Sequence, residues 1–126
     1  MPLGNARVLH TQLTHFYRKR VNYNDPGIAA GVLFGTMPAG AVITRLTARV
    51  NTAFNAGTTN ALNMGTTGTG TQIFTDAATA GHRNPTVPNI SFAADTDLFV
   101  SYAQTGTVAS AGQADVVLEY IPNIDQ

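Results

Sequence analysis

The sequence contains no cysteine and no tryptophan, and only 11% of its residues are charged. Without cysteine there is no disulfide, no zinc–thiolate centre and no thiol nucleophile, so stability has to come from packing or from assembly with other subunits. The same absence leaves the redox compartment open. No stretch approaches the ~18 consecutive apolar residues of a membrane-crossing helix. The opening "MPLGNARVLH" lacks the basic-then-apolar order of a secretory leader. The expectation is a soluble, unexported chain with no membrane partner. Average soluble domains carry roughly 25% charged residues, so so weakly charged a surface suits a protein that sits against neighbours.

What charge there is divides by position. Residues 1–60 hold Arg7, Arg18, Lys19, Arg20, Arg45 and Arg49 against Asp25, a balance of +5, and residues 61–126 hold Arg83 against Asp76, Asp95, Asp97, Asp115, Glu119 and Asp125, a balance of −5. The halves either neutralise each other within one fold or form complementary patches on adjacent subunits. A net charge of zero makes the whole chain neither a nucleic-acid polycation nor an acidic tail. At 126 residues the chain is read as one domain, 1–126, long enough to bury about two thirds of its unfolded surface.

Period two dominates what remains. In "AVITRLTARVNTAFN" (41–55), Val42, Thr44, Leu46, Ala48, Val50, Thr52 and Phe54 alternate with Arg45, Thr47, Arg49, Asn51, Ala53 and Asn55. That is a strand with one buried face. Fifteen residues at ~3.3 Å each would run roughly 50 Å, so the strand is expected to bend or to cross between sheets. Further strand candidates are "VLHTQLTHFYRKRVNY" (8–23), "IAAGVLFGTM" (28–37), Leu62 to Met64, "ISFAA" (90–94), "DLFVSYA" (97–103) and "ADVVLEYI" (114–121). "NDPG" (24–27) and "PAG" (38–40) are turns between them. "TDAATAG" (75–81) is the only helix-like piece, with Thr75 or Asp76 as cap and Gly81 as terminator. The last two strands look like a hairpin closed by "QTGTVASAGQ", with Leu98, Val100 and Tyr102 on one face and Val116, Leu118 and Tyr120 on another. Eight or nine short strands without a long amphipathic helix predict an all-β antiparallel sandwich, with an eight-stranded jelly roll preferred.

No stretch carries a catalytic signature. "GTTGTGTQIF" (65–74) resembles a phosphate loop but lacks the G-K-[ST] ending and a following helix, and is read as a strand connector. His10, His15 and His82 with Glu119 are the only ingredients for a cupin-type metal site. Such sites pair histidines two apart on one strand, whereas five residues separate His10 from His15, so they are read as ordinary surface histidines. Asp95 and Asp97 flank Thr96 before a strand and are read as turn and cap residues. Sugar platforms need exposed aromatics, and the chain has only four Tyr and six Phe. No catalytic, metal or cofactor residue is assigned. Arg18, Lys19 and Arg20 form the one basic cluster; strand alternation sends Lys19 to the face opposite its neighbours, and a solvated edge or a contact to an acidic protein patch are both open to it.

The order "MPAGAVITRLTARVNTAFNAGTTNALNMGTT" followed by "DTDLFVSYAQTGTVASAGQADVVLEYI" resembles small structural proteins of tailed bacteriophages, in particular jelly-roll capsid decoration (cement) proteins. The resemblance spans about residues 28–121 and rests on segment order: "AGAVIT" opening a strand, "NALNMG" before a loop, and "ADVVLEY" in a closing strand. It implies a non-enzymatic protein on the outer surface of the virion, made in the host cytoplasm, that contacts the major capsid protein and itself as a homodimer or homotrimer, with no nucleic acid bound. Residues 1–27 lie ahead of that resemblance; from the clustering of basic residues before "NDPG" they are expected to form an N-terminal arm or edge strand that contacts partners, with Arg7, Arg18, Lys19 and Arg20 as the contact residues. A tail- or fibre-associated β-module and a carbohydrate- or receptor-binding module are the alternatives.

Overall fold

The computed structural model describes residues 15–78, 81–83 and 92–121. The strands in chain order are β1 (His15–Asn22), β2 (Val32–Met37), β3 (Val42–Thr52), β4 (Thr59–Gly65), β5 (Phe74–Ala77), β6 (Gly81–Arg83), β7 (Thr96–Thr105) and β8 (Gln113–Ile121). They make two four-stranded sheets, β1-β8-β3-β6 and β2-β7-β4-β5. Every pairing is antiparallel, and no helix occurs among the described residues. The chain is an all-β antiparallel sandwich, as its period-two patterning predicts.

The core lies between the sheets and is filled by alternate residues of the central strands. Leu98, Val100 and Tyr102 of β7 and Leu62 and Met64 of β4 are buried on one side, and Val116, Leu118 and Tyr120 of β8 with Leu46, Ala48 and Val50 of β3 on the other. Each large apolar side chain so placed contributes about 1.5–3 kcal/mol relative to exposure. Tyr102 brings a hydroxyl into this layer and donates it to the Asn60 side-chain carbonyl, so its polar end is satisfied. Burial pushes the Tyr102 hydroxyl pKa up.

Strand β3 departs from the simple alternation at two points. The pairing with β8 shifts between Ile43 and Arg45 and again between Val50 and Thr52. At the first shift Thr44 and Arg45 are both exposed between buried Ile43 and buried Leu46. Ile43, rather than Thr44, therefore joins Leu46, Ala48 and Val50 in the core. A bulge adds one residue to one strand and turns the following side chains to the other face. The Thr44 hydroxyl donates to the Glu119 backbone oxygen at 3.2 Å and to its carboxylate at 3.1 Å, which holds the extra residue against β8. The strand, Val42–Thr52, is shorter than the fifteen-residue stretch and stays within one sheet.

The expected hairpin between the last two strands is not formed. Strand β7 pairs with β2 and β4, and β8 pairs with β1 and β3 in the other sheet. Leu98, Val100 and Tyr102 and Val116, Leu118 and Tyr120 are the buried rows, and they face each other across the core. The connection between them crosses the end of the sandwich. Asn55 anchors it by accepting from the backbone N–H of Ser110 at 2.8 Å and of Ala111 at 2.9 Å, and Gly57 N–H donates to the Thr107 carbonyl at 2.8 Å. The helix expected over 75–81 is also overturned: Phe74–Ala77 is strand β5, paired with Ala61–Met64. Pairing with β4 outweighs the weak helix preference of a short alanine run. In "IAAG", residues 28–31 form a turn ahead of β2, and Phe92 to Ala94 of "ISFAA" are outside any strand.

One contact ties the two sheets together and another straps the outside of one of them. At the β1–β2 side, the Tyr17 ring stacks on Tyr120 at 5.4 Å between centroids, meets Phe34 edge-on at 6.2 Å, and donates its hydroxyl to the Thr36 carbonyl at 2.7 Å. It lies directly over Gly35, where a Cβ would come within 3.0 Å of the ring. On the other sheet, Gly31 with φ +103° sits against the backbone of Gly68, whose oxygen would lie 2.0 Å from a Cβ at Gly31. Strands β2 and β4 flank β7, so a contact between Gly31 and the loop after β4 has to pass over the outer face of β7. This strap explains why Ser101, on the outward row of β7, is only 2% exposed. Its hydroxyl has no hydrogen-bond partner among the described residues.

These two positions have opposite expectations. Gly31→Ala requires both a strained φ and a displaced backbone, and destabilises by more than about 1 kcal/mol. Ser101→Ala removes a buried, unsatisfied hydroxyl and leaves stability unchanged or raises it by about 1 kcal/mol. Urea denaturation of the two variants beside the parent protein checks both signs, and a clear loss of stability in Ser101→Ala would show that the hydroxyl has a partner.

Candidate functional site: the arginine face of the β1-β8-β3 sheet

The register of three strands builds one face. Phe16 pairs with Glu119, Arg18 with Val117 and Arg20 with Asp115 between β1 and β8. From the other side of β8, Arg45 pairs with Glu119, Thr47 with Val117 and Arg49 with Asp115. Because β8 turns Val116, Leu118 and Tyr120 inward, Asp115, Val117 and Glu119 point outward, and the partners in register share that face. Four arginines, 18, 20, 45 and 49, thereby stand around two carboxylates. The centre of the face is a shallow open depression of about 510 Å³ lined by Phe16, Arg18, Thr47, Arg49, Asp115 and Val117.

Both carboxylates are already engaged. Asp115 accepts from Arg20 Nε at 2.8 Å and from Arg20 Nη2 at 3.2 Å, a two-point ion pair, and from Asn51 Nδ2 at 3.0 Å. Glu119 accepts the Thr44 hydroxyl. The Arg20 hydrogen bonds, with Asn51 and the nearby charges of Arg20 and Arg18, outweigh partial burial and hold the Asp115 carboxyl at about 2, below its ordinary 3.8. The Arg20 guanidinium is shifted upward by the same pair. Arg18, Arg45 and Arg49 make no ion pair among the described residues. Phe16, 61% exposed beside them, is a large aromatic surface with no core to face.

The predicted contact residues separate on this framework. Arg18 and Arg20 lie on the arginine face, and Arg20 is committed to Asp115 within the molecule. Lys19 pairs with Val116 and belongs to the opposite, inward row, where it is half-buried. Arg7 lies outside the described residues. Strand β1, which carries the cluster, is an edge strand. Phe16, Arg45, Arg49, Asp115 and Val117 were not singled out as a set. The one available signal is the alternation Arg45-Thr47-Arg49 beside Asp115-Val117-Glu119, which becomes a face only when β3 and β8 are known to pair.

The other candidates disperse. His15 lies 5.6 Å from Tyr120, centroid to centroid, on the inward row of β1, whereas Glu119 points outward, so the sheet separates them. His10 lies outside the described residues. No group of potential metal ligands occurs among the described residues. Asp97 accepts the Thr36 hydroxyl at 2.7 Å and Asp95 accepts the Ala39 backbone N–H at 2.9 Å, so both fasten the β2 and β7 ends. The Gly/Thr loop after β4 folds tightly on itself, with Thr66 N–H donating to Gln72 Oε1 at 3.2 Å and Gly70 N–H to the Thr67 carbonyl at 3.0 Å.

No family model and no curated protein matches the sequence. Solved structures do match its fold. A chain of the cyanophage Pam1 capsid asymmetric unit has a TM-score of 0.66 at 19% identity, covering 87% of this chain and 85% of that one. A chain of the acidic stable capsid of Helicobacter pylori bacteriophage KHP30 also has a TM-score of 0.66, at 12% identity over 86% of this chain and 87% of that one. A chain of the capsid of Ralstonia phage GP4 has a TM-score of 0.55 at 15% identity, over 89% and 84%. The sandwich is thus a fold found in bacteriophage capsids.

The ion pair has a definite pH signature. Asp115 is held below its ordinary value in the folded protein, so its stabilisation is complete above pH ~4 and is lost as pH falls through about 2. Asp115→Asn therefore lowers the urea midpoint by a constant amount from pH 7 to pH 5, and the gap to the parent closes between pH 4 and pH 2. A gap that persists at pH 2 would place the loss in packing instead of in charge.

Proposed function

We propose that the protein is a structural component of a bacteriophage virion and, within that class, a decoration protein that binds the outside of the assembled head and ties neighbouring capsid subunits together. The observation that carries this reading is the fold: 86–89% of the chain superposes on chains of three phage capsids. The strand order β1-β8-β3-β6 over β2-β7-β4-β5, in which only β4 and β5 are joined within a sheet, supports the finer description as an eight-stranded jelly roll. The role is non-enzymatic, residues 1–126 form one domain, and the protein acts as a homodimer or homotrimer against the major capsid protein on the outer surface. Arg7 and Arg18, on or before the edge strand β1, are the contact residues of this reading, with Arg20 supporting the face through Asp115, and Lys19, on the inward row, would reach a partner only from the strand edge.

The physics of the surface supports the assignment. A sandwich with few ionised groups loses little desolvation energy when its faces are covered, and repeated copies on a shell multiply weak contacts. Phe16 is a single exposed aromatic among arginines, unlike the aromatic platform that a sugar-binding module needs.

Co-sedimentation of the purified protein with mature heads and with undecorated shells tests the assignment. Saturable binding at hundreds of copies per shell is the expected result. Binding to whole particles at a few dozen copies or fewer, and none to shells, would move the protein to the tail, and binding to neither would remove it from the virion.

A further inference from the structure

The arginine face is unevenly satisfied. Its two carboxylates are committed inside the molecule, Asp115 to Arg20 and Asn51 and Glu119 to the Thr44 hydroxyl. Arg18 of β1 and Arg49 of β3 line the depression from the two flanks of β8 and have no ion-pair partner among the described residues. The floor beneath them is apolar, with Phe16 and Val117. Arg20 on Asp115 shows which group this face accepts: a carboxylate taken by two nitrogens of one guanidinium, a geometry that matches the planar fork of arginine.

We propose that the depression is the docking site for an acidic segment of the protein this chain binds, in which one carboxylate meets Arg18 and Arg49 while an apolar neighbour covers Phe16. The proposal rests on the virion reading for the source of that segment, the shell protein, and on charge complementarity for its chemistry. A nucleic acid fits the face less well, because Asp115 and Glu119 lie in the same rows as the arginines and repel a continuous line of phosphates. A single carboxylate on a peptide can meet Arg18 and Arg49, which have no ion pair of their own among the described residues, beside an Asp115 whose charge is already offset by Arg20. Lys19, on the other side of the sheet, has no part in this site.

Two measurements on the full-length protein test it. In the first, binding isotherms to undecorated shells are compared for the parent, Arg18→Ser/Arg49→Ser, Arg18→Lys/Arg49→Lys and Phe16→Ser, each at low and high salt, with thermal melts confirming the fold. The Ser pair is expected to weaken binding roughly tenfold or more and to flatten its salt dependence. The Lys pair recovers part of that loss, because the charge returns without the fork. In the second, a hexaglutamate peptide is titrated into the parent and the Ser pair, with a single-stranded oligonucleotide as rival. The peptide is expected to bind only the parent and to compete with shells. If the Ser pair binds shells as tightly as the parent, with the same salt slope, the proposal is overturned while the virion reading stands. If hexaglutamate binds the parent and shells do not, the carboxylate site stands and the virion reading falls. Competition by the oligonucleotide but not by hexaglutamate overturns the choice of a protein partner.

Discussion

Strand β8 lies between β1 and β3, and the alternation of its side chains divides the molecule into what is packed and what is presented. Val116, Leu118 and Tyr120 meet the opposite sheet, while Asp115, Val117 and Glu119 organise the outer face. A slip of one residue in this register would exchange the two sets, placing two carboxylates in the core. Two features oppose such a slip. The bulge at Thr44 is fastened to Glu119, and Arg20 of β1 grips Asp115 from the other side. The ion pair is partly exposed, so its larger effect is on alignment and not on bulk stability.

Much of this order was legible in the sequence. Alternation located the buried rows of β3, β7 and β8, and "NDPG" and "PAG" are turns, with positive φ at Gly27 and Gly40. Side-chain periodicity reports which way a residue faces, however, and carries no information about which sheet its strand joins. For that reason β7 and β8 were read as a hairpin when they lie across the core from each other. The helix expected over 75–81 fails for a related reason: so short an alanine run holds too little local preference to resist the pairing that β4 offers to Phe74–Ala77. The bulge at Thr44 was hidden because Thr is compatible with either face, and it is the point at which the even row of "AVITRLTARVNTAFN" stops describing the core.

The candidate site was legible only in fragments. Arg18 and Arg20 stood out as a cluster in one strand, and strand alternation correctly sent Lys19 to the other side. Their companions Arg45, Arg49, Asp115 and Val117 are 25 to 99 residues distant in sequence and become neighbours through pairing alone. The opposed charge of the two halves of the chain is explained in part by the same ladder, since β1 and β3 supply the arginines and β8 the acids. Enough positive charge is left over to meet a partner, and that excess links the fold to its proposed role on a shell.

The absence of cysteine permits a direct test of which face is used. Single substitutions Thr47→Cys in the depression, Leu33→Cys on the opposite sheet and Val108→Cys on the crossing loop give three proteins with one thiol each, on positions that are half-buried, 53% and 74% exposed. Labelling rates are then compared between free protein and protein bound to undecorated shells. The account predicts strong slowing at position 47 and little change at 33 and 108. Slowing at 33 or 108, with 47 labelled as fast as in the free protein, would contradict it and move the working surface away from the arginines.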